Sequence, residues 1–139
     1  MLSLVGRYLG SYPGFDGKGL TASMVNNYVK AGVVPGPIRK KYNRSHLAHL
    51  IMVCVLKPSL PLDAIRRLLA SECSADSGEA FYNHFCIMFE QSTAESASAC
   101  ISDGEDPSLK ESLCRAALRA QAEQALAGKL FSSAFPSDQ

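Results

Sequence analysis

From Leu47 to Leu56 the chain reads LAHLIMVCVL, ten residues that are apolar except for His49. Leu47, Leu50, Ile51 and Cys54 keep helical spacing, and Met52, Val53 and Val55 fill the remaining faces. A helix that is apolar nearly all round has no face to give to water, so it belongs at the centre of a core. The run is too short to cross a bilayer, which takes about 20 apolar residues. Other helices must therefore wrap it, and the punctuation around it supplies them. Ser45 is placed to cap the central helix and Lys57-Pro58 to end it.

Downstream, Pro61 suits the first position of a helix over Leu62 to Ala70, with Leu62, Ile65, Leu68 and Leu69 inward. Upstream, Thr21 is a good N-cap, and Leu20 before it can staple onto Val25. Val25, Tyr28 and Val29 form an apolar stripe, while Ser23, Asn26, Asn27 and Lys30 occupy the opposite face. Gly32 is the natural stop and Pro35 prevents resumption. Pro35-Gly36-Pro37 then forces a turn, and Ile38 to Tyr42 is expected to form a short extended hairpin arm. Leu2 to Leu9 supplies one or two helical turns, and Gly10 to Gly19 is loop by composition.

The second half begins with a small, polar joint, Ser71 to Gly78. Glu79 to about Cys100 is helical, with Phe81, Phe85, Met88 and Phe89 as an aromatic stripe for core packing or self-association. After a break at Ser102 to Asp106, Asp106 caps and Pro107 opens a last helix to about Phe131. Its inward residues are expected to be Leu109, Leu113, Ala117, Ala120, Leu126 and Leu130. The expected fold is all-α with a small β-hairpin wing and C-terminal helices.

A formal net charge of +1 conceals a division. Residues 1–70 hold ten Lys/Arg against two Asp, a net of +8; residues 71–139 hold four against eleven Asp/Glu, a net of −7. Five of the cations (Lys30, Arg39, Lys40, Lys41 and Arg44) fall between Lys30 and Arg44 with no acid among them. A basic polyanion-facing module over residues 1–70, joined to an acidic helical region over 71–139 for dimerisation or signal input, fits that split. The five cysteines are odd in number and lack a C-x-x-C pair, which suits reduced, mostly buried thiols and a cytoplasmic setting. Arg7 interrupts the apolar start and no cleavage-site pattern follows, so no signal peptide is expected.

The helix starting at Thr21 is where function is most legible. Asparagine weakens a helix because its amide competes with the backbone. In a major groove the same amide can read adenine through paired hydrogen bonds. Ser23, Asn26, Asn27 and Lys30 would present a hydroxyl, two amides and a cation to base edges. Thr21, Tyr28, Arg39, Lys40, Lys41, Tyr42 and Arg44 would contact the duplex backbone, with Tyr42 chiefly packing the wing onto the core.

The segment VNNYVKAGVVP, Val25 to Pro35, resembles the recognition-helix region of MerR-type regulators through Tyr28, Gly32, Val33, Val34 and Pro35. Leu47, Leu50, Val53, Leu56, Leu62, Ile65, Leu68 and Leu69 resemble its continuation. A closer resemblance is to a bacterial domain-of-unknown-function family numbered eighteen thirty-six, through Leu20-Thr21, Met24 to Tyr28, Lys30, Pro35, Pro37 and Lys40 to Tyr42. It extends over Leu20 to about Ala70. The resemblance implies a MerR-like winged helix-turn-helix acting on double-stranded DNA as a homodimer in transcription regulation, with any small-molecule effector unidentified. Asn26 stands where MerR-type proteins carry arginine, Asn27 where they carry the first tyrosine, and the wing lacks their G-Y-R.

Rival chemistry is weaker. His46, His49 and Cys54 do not form a metal set, because Cys54 lies on the apolar stripe and no second ligand pair follows. His84 and Cys86, two apart on a helix, point in different directions. Without a nucleophile-elbow, P-loop or zinc-protease motif, the expectation is no enzyme, no metal and no cofactor. The rival of another class is a protein-interaction adaptor that keeps the fold and docks its basic arm on an acidic partner.

Overall fold

The structure is a computed structural model that describes residues 2–10, 20–74, 77–101 and 109–136. Among them are six helices: α1 (Leu2–Leu9), α2 (Ala22–Lys30), α3 (Arg44–Leu56), α4 (Leu62–Glu72), α5 (Gly78–Ile101) and α6 (Leu109–Ala134). The chain divides into two compact units, Met1–Tyr82 and Asn83–Gln139, so the division falls inside α5.

In the first unit α3 is the centre, as its all-round apolarity requires. His46, Leu50, Ile51, Met52 and Val53 are buried along it. α1 packs against α3 and contributes Val5, and α4 packs against α3 through Ala64, Ile65 and Leu69. α2 adds Val25 and Tyr28, and the two residues after its glycine stop, Val33 and Val34, are buried as well.

The local signals at α2 hold in detail. Thr21 Oγ1 accepts the Met24 amide at 3.2 Å. At the other end Gly32 has φ +72°. Its amide bonds to the Val29 carbonyl at 3.0 Å while the Val33 amide reaches the Tyr28 carbonyl at 3.1 Å. Those paired bonds are a Schellman stop, which needs a residue at ease with positive φ.

Several expectations are corrected. The start of α3 is Asn43, not Ser45: Asn43 Oδ1 accepts the His46 amide at 3.2 Å, and the His46 ring answers the Asn43 amide at 3.1 Å. Pro61 stands just before α4 rather than inside it. No strand is present among the described residues. The expected arm over Ile38 to Tyr42 is a single antiparallel bridge, Ile38 to Lys41. Only Tyr42 separates Lys41 from Asn43, the cap of α3, so no residues remain for a ladder.

The last helix departs furthest. No residue of α6 is buried, and Leu109, Leu113, Leu126 and Leu130 are exposed. Its expected cap, Asp106, and Pro107 lie outside the described residues, as do most of the Gly10–Gly19 loop and the Ser102–Asp106 break. Spacing tells which residues share a helix face; it does not tell whether anything covers that face. On α5, Phe85 is buried, Phe81 and Phe89 are partly buried, and Met88 is exposed. Four of the cysteines, expected to be mostly buried, are more open than that. Cys54, Cys73 and Cys86 are half-buried and Cys114 is exposed. No helix among the described residues is long and apolar enough to cross a membrane.

Candidate nucleic-acid interface

α2 is nine residues long, and its inner face is committed to the core by Val25 and Tyr28. Its end is braced from two sides. Lys57 Nζ lies 3.4 Å from the Tyr28 hydroxyl and 5.3 Å from the centre of that ring. From α4 the Arg66 stem passes Gly32, its Cδ 3.6 Å from where a β-carbon would stand. Arg66 is itself held by Asp63 at 2.6 Å.

Bracing on one side fixes what the other side shows. Ser23, Asn26, Asn27 and Lys30 are all exposed. At 100° per residue they fall within an arc of roughly 100°. The amides of Asn26 and Asn27 make no side-chain hydrogen bond among the described residues. The four expected base-reading residues therefore share one outward face.

Of the expected backbone contacts, Tyr28 is a correction. It is buried, and its hydroxyl accepts from Lys57, so its ring belongs to the core. The Val25–Tyr28–Val29 stripe already carried that signal. Thr21 is exposed, with Oγ1 accepting the Met24 amide and its hydroxyl proton free to donate outward. Arg39, Lys40, Lys41 and Arg44 are exposed. Tyr42 sets its ring edge-on to His46 at 5.3 Å between centroids, as a packing residue would.

The basic turn has an unusual backbone. Arg39 and Lys40 have φ of +49° and +63°. Two consecutive positive φ values define the type I′ turn, whose usual residues are Asn-Gly. The turn is closed by a reciprocal pair, the Ile38 amide to the Lys41 carbonyl at 3.0 Å and the Lys41 amide to the Ile38 carbonyl at 2.9 Å. From Lys30 to Arg39 the chain can span at most about 30 Å. That is within one turn of a duplex, about 34 Å.

Sequence reasoning missed one residue. His46 is buried, and its Nε2 lies 2.8 Å from the Gly36 carbonyl, ahead of the turn, while Nδ1 lies 3.1 Å from the Asn43 amide, behind it. The available signal was Asn43 followed three residues later by a side chain able to reach back, a capping box with histidine in place of Glu or Gln. Elsewhere, no group of three or more potential metal ligands occurs among the described residues. The Cys54 thiol is pushed up to about 11 by burial, against a lowering pull from Lys57.

An all-helical unit with a polar helix face and a strained basic turn is the class that fold and site define. The chain belongs to the family described as domain of unknown function (DUF1836), which matches residues 1–85. No curated protein and no solved structure matches it.

Proposed function

We propose that this chain is a sequence-specific DNA-binding transcription regulator of MerR-like design, acting as a homodimer. The outer face of α2 enters the major groove with Ser23, Asn26, Asn27 and Lys30 toward base edges. The turn Arg39–Lys41 serves as a shortened wing on the backbone, helped by Arg44 and the Thr21 hydroxyl.

One observation carries the reading: departures from local rules cluster at these residues. Asn26 and Asn27 sit mid-helix, where alanine or lysine would be favoured. Arg39 and Lys40 occupy left-handed backbone that suits Asn and Gly. Arg44 places a cation at the start of α3, where the helix dipole favours an acid, and the first turn of α3 holds none. None of these choices stabilises the fold, and all of them place amides or cations on the surface. Residues that break local rules without a stabilising return are those expected at a functional site.

Selection from a pool of random duplexes, followed by binding measurements across a salt series, tests it. The expected result is enrichment of particular sequences and an affinity that falls linearly on a logarithmic salt scale. Absence of duplex binding at low salt sinks the reading, and favours the adaptor whose basic turn docks an acidic protein.

A further inference from the structure

We propose that buried His46 is the positioning residue of the basic turn, its imidazole standing in for a missing rung of a β-ladder. The turn's role on phosphate rests on the function proposed above; the clamp itself does not.

The Ile38–Lys41 bridge exchanges both of its backbone hydrogen bonds. In an antiparallel ladder the next such pair lies two residues further out on each side. Here that pair is Gly36 and Asn43. Instead of meeting, their backbones are joined through His46: the Asn43 amide donates to Nδ1 at 3.1 Å, and Nε2–H donates to the Gly36 carbonyl at 2.8 Å. Only this protonation pattern satisfies both, since a carbonyl can only accept and a backbone amide can only donate. Asn43 Oδ1 also lies 2.6 Å from Nδ1. An amide oxygen cannot donate, so it bonds the ring only when Nδ1 carries a proton. With Nε2–H retained, it then replaces the Asn43 amide as the ring's partner on the same residue, and the link from Asn43 to Gly36 is kept.

The ring is well placed for the task. It is 1% exposed, the Tyr42 ring stands edge-on against it, and no buried side-chain nitrogen or oxygen among the described residues lacks a partner. Arg39 and Lys40 hold left-handed backbone, which persists only where the surroundings over-determine it. Two backbone bonds at the tip and one imidazole at the base supply that determination. A longer ladder would have done the same work, but Asn43 is already committed as the cap of α3.

Limited trypsin digestion of the full chain, read by mass, tests this. Cleavage after Arg39, Lys40 or Lys41 reports opening of the turn; cleavage after Arg66 or Arg67, in α4, reports unfolding of the whole unit. His46→Leu removes both ring contacts. His46→Asn keeps a polar atom at the place of Nδ1, where it can serve the Asn43 amide, but is too short for Gly36. The expected result is that the ratio of turn to α4 cleavage rises roughly tenfold in His46→Asn, with His46→Leu at least as open. A wild-type ratio in His46→Asn would show that capping α3 suffices, and would overturn the proposal. Affinity for a random-sequence duplex, followed in parallel, separates the two ideas. His46→Asn is expected to weaken it although no cation is lost. A wild-type chain that ignores DNA removes the phosphate role and leaves the cleavage result to decide the clamp.

Discussion

Leu50 and Arg39 belong to neighbouring stretches of one unit and follow opposite rules. Around Leu50 pattern, position and burial agree: apolar on all sides, central in the sequence of helices and buried. Between Asn26 and Arg44 the levels conflict. Weak helix formers stand mid-helix, long cationic side chains occupy a turn meant for Asn-Gly, and a cation starts a helix. Where levels agree, the residues specify the fold; where they conflict, something other than folding selected them. The difference has a measurable sign. Substitutions in the core should lose stability and binding together, whereas substitutions in the conflicted segment should gain stability while losing binding.

The largest effect belongs to the core. Leu50→Ala removes a fully buried side chain from the centre of α3 and should cost the first unit about 2–5 kcal/mol, read from denaturant midpoints. Duplex binding should decline only as the folded fraction declines. A cost below about 1 kcal/mol would mean that α3 is not central, and would end the comparison.

Next comes the helix face. Asn26→Ala or Asn27→Ala should weaken binding to the selected duplex by ~1–3 kcal/mol and relax base preference at the position read. The same change should raise stability by up to about 0.7 kcal/mol, because alanine replaces a weak helix former at an exposed site. Equal weakening on random duplex would assign these amides to the backbone and withdraw the readout.

Much of this organisation was written locally. Thr21, Gly32 and Lys57-Pro58 act through bonds and backbone angles within a few residues, so sequence could place the bounds of α2 and the end of α3. Central α3 was legible because an all-round apolar helix has only one place to go. The misses required knowledge of what lies opposite. Asn43 and Ser45 are both good caps, and the choice fell to a histidine three residues beyond Asn43 whose far nitrogen reaches Gly36. The wing was overdrawn because composition marks a turn but cannot show a ring replacing a rung. The leucines of α6 share faces as their spacing says, yet the chain described buries none of them.

The turn gives the third test. Arg39→Asn with Lys40→Gly supplies the residues that two positive φ values favour, and should stabilise the first unit by about 1–2 kcal/mol. It also removes two cations. If each meets a phosphate, the slope of log affinity against log salt should become shallower by roughly two units. A stabilised variant with an unchanged slope would keep the strain argument and reject the wing.

Arg44→Glu is the smallest change and the most discriminating, because both of its consequences follow from one charge. At the first position of α3 the unpaired backbone amides carry partial positive charge, which the arginine opposes and a glutamate would favour. Arg44 is exposed, so no packing is disturbed and the gain should be ~0.3–1 kcal/mol. On a duplex the sign reverses: a phosphate partner is lost and a repulsive carboxylate takes its place, so affinity falls and the salt slope flattens by roughly one unit. A neutral Arg44→Gln separates the terms, since it removes the cation without adding repulsion or a dipole partner. If the glutamate variant is more stable and binds duplex less well, with glutamine between them on both scales, then the arginine is held against the preference of its own helix by contact with a polyanion. If glutamate leaves binding untouched, Arg44 is ordinary surface, and the conflicted segment ends at the turn.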